Sequence, residues 1–390
     1  MRPAIGVLGD GQLAQMTCLA GRELGCEMHV YAGGAGQPAA LVADRVWIGD
    51  PRDEEVLTRF ARAVDAVVYD TELLPIESVE RVARHAAVCP SPEALRIAQN
   101  RIREREFLRR AGLPMPRVAA VRTAAELAAA VAAVGLPAVL KTAEQGYDGR
   151  GQRRVERPEQ AAEAWRELGS VECVLEQWVE FERECSVIVA GGANGACEAY
   201  PVIDNAHWRH ILHQSSAPST LPPRARAEAV EIALAAAREL RVVGLLTVEM
   251  FHTRDGRMLV NELAPRPHNS GHHTQRSANV SQFAQLCRTA AGEPPLPVAQ
   301  RPAAMVNLLG DLFAEDGLRT DPLRPPLYRH VGFLPGGGAV GTYFYGKREA
   351  RPGRKMGHII AVADAVPDAL ALAREEYEKY GCFPDAGAGA

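Results

Sequence analysis

The sequence has no Cys-x-x-Cys pair; its eight cysteines are scattered along 390 residues. That spacing argues against a zinc knuckle or a disulfide framework and leaves reduced, buried thiols in a cytoplasmic protein as the expectation. No apolar run approaches the ~20 residues that span a bilayer. The opening stretch, MRPAIGVLGDGQLAQM, reads straight into a strand and a turn and not as a signal peptide. No membrane partner is expected. An excess of one charge is also missing: 44 Lys and Arg stand against 48 Asp and Glu, for a net charge of −4. Nucleic acid is therefore not expected as a partner, and any phosphate recognition must be local. There is no G-K-[ST] phosphate loop and no internal repeat.

What is present alternates strand and helix. Ala4–Leu8, Glu27–Tyr31 and Ala66–Tyr69 are short apolar strands separated by helical stretches, the pattern of a parallel sheet with helices on its faces. Residues 99–111 form a charged helix ended by Gly112 and the prolines of GLPMP. The helix that follows begins with a capping box, Thr123 with Glu126 three residues on. The strand AVLKT, a glycine-rich loop, a helix and the strand CVLEQWV make a small α/β unit. Longer strands and an alanine-rich helix then lead to a glycine-punctuated tail that reads as a small antiparallel module. The chain is expected to be α/β (α+β taken whole). Its expected parts are an open parallel domain over 1–98, a linking helix over 99–115, a small lid domain over 116–183, a large domain over 184–325 and a β-rich module over 326–390.

Several constellations carry chemistry. The loop from Gly146 to Gln152 follows Lys141, and its glycines would let backbone N–H groups wrap phosphate oxygens. An ordinary hairpin turn is the alternative, and Lys141 favours phosphate. Glu249 and Glu262 flank an Asp255-Gly256 turn. A two-residue hairpin centred there pairs them directly on one face. Two facing like charges are destabilising unless neutralised. Mg²⁺, bound through carboxylates and nucleotide phosphates, is the natural partner, with a solvated edge pair as the alternative. A bulged turn would instead bring Asn261 opposite Glu249. Beyond them, Arg266 offers a planar fork for a carboxylate-like anion. A zinc site of His268, His272 and His273 is disfavoured because Pro265, Pro267 and Gly271 oppose a helix there. KREARPGRKMGH, from Lys347 to His358, is either a solvated basic turn or a phosphomonoester site. Gly9-Asp10-Gly11-Gln12 begins a dinucleotide fingerprint but has Ala14 at the third glycine position, leaving a helix N-terminus that could bind another phosphate.

Together these residues resemble the ATP-grasp superfamily and, within it, the 5-(carboxyamino)imidazole ribonucleotide synthetases. The motifs GVLGDGQLAQM, GYDGRGQ, VLEQWVEFERECSVIVA, NELAPRPHNSGHHT and RPGRKMGH occur in family order over nearly the whole chain. The relative that formylates glycinamide ribonucleotide shares the core, but GYDGRGQ combined with NELAPRPHNSGH favours the carboxylating family. The resemblance implies ATP and Mg²⁺ as cofactors, 5-aminoimidazole ribonucleotide and bicarbonate as substrates, and a homodimer. It implies that Arg101, Lys141 and the loop Gly146, Tyr147, Asp148, Gly149, Arg150, Gly151 and Gln152 contact ATP. Glu176, Gln177, Trp178 and Val179 would frame adenine, Glu184 would bind ribose, and His207 would lie on the nucleotide side. Glu249 and Glu262 would hold Mg²⁺, with Asn261 adjacent. Lys141, Asp148, Arg266, His268 and Asn269 would serve catalysis, the last three at the bicarbonate end. Tyr147, Asp148, Arg150, Arg266 and Lys355 would receive the substrates, with Arg348, Arg351 and Arg354 nearby. Two places depart from the family pattern: YDTELLPIESV replaces an aromatic-acidic run, and Arg105 stands where a lysine is common.

Overall fold

A computed structural model describes residues 2–144, 146, 149, 151–313, 338–347 and 349–384, and the backbone alone over 329–333. The N-terminal unit is a five-stranded parallel sheet. Along the chain run β1 (Ala4–Leu8), α1 (Gln12–Glu23), β2 (Glu27–Ala32), β3 (Arg45–Ile48), α2 (Glu54–Ala61), β4 (Ala66–Tyr69), α3 (Ile76–Val82), β5 (Ala87–Val88) and α4 (Pro92–Ala98). Its strand order is β3-β2-β1-β4-β5. Helices cover both faces, so β1 and β4 are apolar without alternation. The order reverses between β1 and β4, and the turns leaving the C-terminal ends of those two strands border a crevice, the usual ligand position in such sheets.

The helix α5 (Arg101–Arg110) leads to a four-stranded antiparallel sheet. This is built from β6 (Val118–Val121), α6 (Ala124–Val134), β7 (Ala138–Thr142), β8 (Gln152–Val155), α7 (Pro158–Glu167) and β9 (Cys173–Gln177). Alternation along the strands decides what faces where. Ala138 and Leu140 of β7, with Cys173 and Leu175 of β9, pack under α6 and α7. Lys141 and Glu176 therefore point to the opposite face, where α5 packs Ile102 against Val174. At the start of α6, Thr123 Oγ1 accepts the Glu126 N–H at 3.2 Å, as the capping box requires. The reciprocal bond differs: the Glu126 carboxylate takes the N–H of Arg122, one residue earlier than expected.

The remaining strands form one ten-stranded sheet. They are β10 (Phe181–Gly191), β11 (Cys197–Ala199), β12 (Ile203–Trp208), β13 (Ile211–Ala217), β14 (Gly244–Thr253), β15 (Met258–Ala264), β16 (Ala303–Leu309), β17 (Arg329–Phe333), β18 (Ala339–Phe344) and β19 (Lys355–Val362). The helices α8 (Pro223–Glu239), α9 (Thr274–Ser277), α10 (Gln282–Ala290) and α11 (Val366–Glu378) accompany them. The C-terminal strands are antiparallel as expected, yet they extend the large sheet through β16 and β19 and form no separate layer. A long hydrophobic core joins α8 to β10 and β14, and another joins α1 and α10 to the same sheet. Among the described residues no helix is long and apolar enough to cross a membrane.

Candidate active site

The hairpin β14–β15 brings the two glutamates together by a route the sequence did not reveal. Its loop is longer than two residues: Thr253 N donates to Arg257 O, with Gly256 at φ 83°. His252 therefore faces Met258, and the register is one residue short. An irregularity at Asn261 restores it, so Met250 faces Val260 while Glu249 faces Glu262. Two deviations cancel, and the expected pair forms.

The two carboxyls differ electrically. Burial alone would raise Glu249, but the His268 imidazole, whose Nε2 lies 2.7 Å from Glu249 Oε1, outweighs it and holds the carboxyl at about 2. Glu262 makes no ion pair among the described residues. Burial, and then the Glu249 charge opposite, raise it above the usual carboxylate range. A partly buried carboxylate pair with one member unpaired among the described residues fits a hard cation. Among the described residues no group of three or more His, Cys, Asp or Glu is arranged to hold a metal. The donor set therefore suits an ion that takes its other oxygens from a nucleotide, and neither the His268, His272 and His273 run nor any cysteine supplies a zinc site.

Lys141 projects from β7 and its Nζ lies 2.7 Å from Glu176 Oε2. The other oxygen of Glu176 receives Arg105 Nε at 2.8 Å. Despite burial, these two cations pull Glu176 down to about 2. Beside it, Trp178 N donates to Pro137 O, and the Arg154 guanidinium lies 4.1 Å from the Trp178 ring centroid. Gln177 Oε1 accepts from Arg117 Nε, and Val179 is half-buried at the end of the same segment. Glu184 begins the inner part of β10, and its Oε2 is 2.5 Å from His207 Nδ1. Burial would lower His207, but the Glu184 carboxylate outweighs it and raises the imidazole above its ordinary value.

Arg101 is turned toward protein backbone, donating to Thr142 O at 3.1 Å and Gly146 O at 2.8 Å. It anchors the start of the glycine-rich loop. Gly149 and Gly151 there adopt φ of 76° and 69°, and a Cβ on Gly151 would lie 2.6 Å from Thr142 Oγ1. Gln152 pairs with Lys141 across β7 and β8. Tyr147, Asp148, Arg150 and Arg348 lie outside the described residues.

At the other end, Arg266 Nε donates to Glu72 Oε2 at 2.7 Å and Nη1 to Pro267 O at 3.0 Å. The buried side-chain amide of Asn269 has neither its oxygen nor its nitrogen satisfied among the described residues. His268 Nδ1 is held by Ser270 Oγ at 2.8 Å. In the basic segment, Lys347 Nζ donates to the carbonyl of Lys355 at 2.8 Å, bringing both lysines together. Arg351 instead pairs with Glu349, and Arg354 donates to the Glu349 carbonyl.

The glycine turn after β1 packs against the end of β4. Asp70, at the end of β4, accepts the Gly11 N–H at 3.1 Å, and a Cβ on Gly9 would collide with its Oδ1. Burial raises Asp70 to about 6 even though the Gly11 and Ala14 N–H groups oppose that shift. The carboxylate thus takes the N–H of the residue that caps α1, and the helix has no further side-chain cap. Asp70 and Glu72 both belong to the divergent YDTELLPIESV segment. Their place after β4, beside the β1 turn at the strand-order reversal, is the signal that would have found them. Arg105 stands out in the sequence only as a departure from the family pattern. Far-separated groups close the rest: Tyr343 Oη donates to Gln15 Oε1 at 2.9 Å, and the His272 and His358 rings lie 4.8 Å apart.

A glycine-rich loop and lysine on a small antiparallel sheet, set against facing glutamates on a larger one, are the arrangement of an ATP-grasp ligase. The chain matches the ATP-grasp domain over residues 106–283. The ribonucleotide synthetase preATP-grasp domain matches 2–99, and the phosphoribosylaminoimidazole carboxylase C-terminal domain matches 303–371. It is 38% identical over 362 residues to the N5-carboxyaminoimidazole ribonucleotide synthase of Bacillus subtilis, covering 91% of this chain and 90% of that one. The Pseudomonas aeruginosa enzyme of the same name is 38% identical over 355 residues, covering 91% and 93%. A solved ADP complex of an N5-carboxyaminoimidazole ribonucleotide synthetase superposes with TM-score 0.85 at 34% identity, covering 97% of each chain. The Aspergillus clavatus synthase in complex with ADP and 5-aminoimidazole ribonucleotide superposes with TM-score 0.84 at 28% identity, covering 97% and 98%. The chain belongs to the N5-carboxyaminoimidazole ribonucleotide synthase family, the ATP-dependent ligases that serve purine biosynthesis.

Proposed function

We propose that the chain carboxylates the exocyclic amine of 5-aminoimidazole ribonucleotide with bicarbonate, driven by conversion of ATP to ADP and phosphate. The observation that carries this reading is the row of groups around the facing glutamates. Glu262 feels Arg101 and Lys141, while Glu249 holds His268 and feels Arg266, whose guanidinium pairs with Glu72; Asn269, next to His268 in the chain, keeps an unsatisfied buried amide among the described residues. Nucleotide phosphates suit the first end, and a small planar oxyanion suits the second.

Mg²⁺, held by Glu249 and Glu262 with nucleotide oxygens, would offset charge on the transferring phosphoryl group. Lys141 would leave part of its Glu176 contact to bind phosphate oxygens. Arg266, His268 and Asn269 would orient bicarbonate so that one oxygen attacks the γ-phosphorus and ADP leaves. The resulting carboxyphosphate has an electrophilic carbon. The amine nitrogen attacks it, the C–O bond to phosphate breaks, and phosphate carries away the amine proton. The glycine-rich loop would exclude water from this short-lived species, with Tyr147, Asp148 and Arg150 on the side of the ribonucleotide. Lys355 and Lys347 would take the substrate phosphate. Glu176 to Val179 would frame adenine, and Glu184 with His207 the ribose. Buried free thiols support a cytoplasmic setting, and family membership supports a homodimer, which light scattering would test.

Phosphate release from MgATP and bicarbonate should rise on adding 5-aminoimidazole ribonucleotide, with labelled bicarbonate carbon trapped on the product. Stimulation confined to glycinamide ribonucleotide with formate would overturn the proposal.

A further inference from the structure

The residues that flank Glu262 are held by a helix from another part of the chain. β15 is an edge strand, so its outward backbone groups need partners beyond the sheet. Val260 N donates to Pro114 O at 2.8 Å. The Asn261 carbonyl, at the irregular position, accepts Arg105 Nη2 at 2.5 Å. The Leu263 N–H donates to Glu104 Oε1 at 2.6 Å. Two adjacent α5 side chains thus grip the peptide groups on either side of Glu262.

The same two side chains reach the nucleotide lysine. Arg105 Nη1 binds Glu104 Oε2 at 3.1 Å, and Arg105 Nε binds Glu176, whose second oxygen binds Lys141. The path from Lys141 through Glu176 and Arg105 to Asn261 crosses from the four-stranded sheet to the ten-stranded one in direct contacts. Arg105, Glu104 and Glu176 are each at most 5% exposed as side chains. Two cations face two carboxylates that use both oxygens, so the hydrogen bonds are internally satisfied, although burial still raises Glu104 to about 7 against the pull of Arg105. Only the Lys141 ammonium, with donors beyond its Glu176 contact, is placed to meet a ligand.

We propose that Arg105 and Glu104 are positioning residues that fix the Glu262 backbone at a set distance from Lys141, so that metal and nucleotide phosphates are received in one geometry. The inference rests on Glu262 being a metal ligand, as proposed above. In this chain the planar fork of Arg105 meets three acceptors from three elements at once, where the lysine common in the family would keep the charge but not all three contacts. Partners that orient a ligand from behind set metal affinity by about tenfold to a hundredfold when lost.

The test measures Mn²⁺ binding in the presence of saturating ADP, by the electron paramagnetic resonance of free Mn²⁺, together with kcat and the KM values. Arg105→Lys should weaken Mn²⁺ binding about tenfold and lower kcat, with the KM for the ribonucleotide unchanged. Glu104→Gln is isosteric and keeps an acceptor for Leu263, so it should fold and show the same change in smaller degree. Glu262→Gln is the reference and should weaken Mn²⁺ binding most. If Glu262→Gln weakens binding while folded Arg105→Lys and Glu104→Gln bind Mn²⁺ as the parent does, the positioning role is overturned and the network is only structural. If Glu262→Gln itself leaves Mn²⁺ binding intact, the metal assignment falls and takes this inference with it.

Discussion

Two buried clusters of charge lie side by side and are built oppositely. In the first, Lys141, Arg105, Glu104 and Glu176 balance, and the ion pairs are mutual. In the second, Glu249, Glu262 and Glu72 face Arg266 and His268, and Glu262 is left without an ion-pair partner among the described residues. The first can be satisfied by the protein alone; the second needs something from outside. The second is also the more open, with Glu249, Arg266 and Glu72 14–23% exposed as side chains against 3–5% for Glu104, Glu176 and Arg105, so imbalance and access together mark the receiving site and the balance marks its frame.

Removing charge should affect them in opposite directions. The largest effect is expected from Glu262→Gln, which should cut kcat/KM by about a hundredfold to a thousandfold. The unliganded protein should be no less stable and up to about 0.5 kcal/mol more stable, because a facing like charge is gone. Steady-state kinetics and urea unfolding would check both halves. Loss of stability there would place Glu262 with the frame. Glu176→Gln comes next. It strips the partner from two buried cations and should cost about 3 kcal/mol of unfolding free energy. A denaturation midpoint equal to the parent's would break the comparison from the other side.

Arg266→Lys should raise the KM for bicarbonate about tenfold, since the ammonium keeps charge but loses the fork, with ATP affinity unchanged. The smallest effect is a proton count. Burial, then the charges of Arg354 and Lys355, push Lys347 from its ordinary 10.5 down to about 7. For a cation depressed in the folded state, the folding penalty is absent above 10.5, grows as pH falls toward 7, and stays constant below. Stability from this group should therefore rise between pH 7 and 9. A phosphate dianion bound beside Lys347 should restore its proton. Calorimetry in buffers of different ionisation enthalpy should then show uptake of less than one proton at pH 8, absent in Lys347→Met.

The parallel sheet was legible because its strands are continuous apolar runs separated by helical patterns. The Glu249–Glu262 pairing was also legible, although the hairpin reaches it through an extra loop residue and a compensating bulge at Asn261 that no pattern in the sequence announces. What escaped were contacts without local periodicity. Glu72 meets Arg266 across 194 residues, and Glu104 meets the Leu263 N–H across 159. Such pairs depend on how three sheets are set against one another, and hydrophobic spacing carries no record of that. Arg105 was visible as an unusual residue, but its three acceptors come from α5 itself, β9 and β15.

Cells contain abundant inorganic phosphate, nucleotides and dinucleotides, all drawn to the exposed start of a helix behind a glycine turn. Here the Gly11 N–H already meets Asp70 from the neighbouring strand, while α1 carries no side-chain cap. A tethered carboxylate does not dilute away, so an anion reaching the rest of that helix start must bring or meet compensating positive charge. The turn thus selects by its surroundings as well as by its donors, and its first glycine serves the close approach of protein to protein.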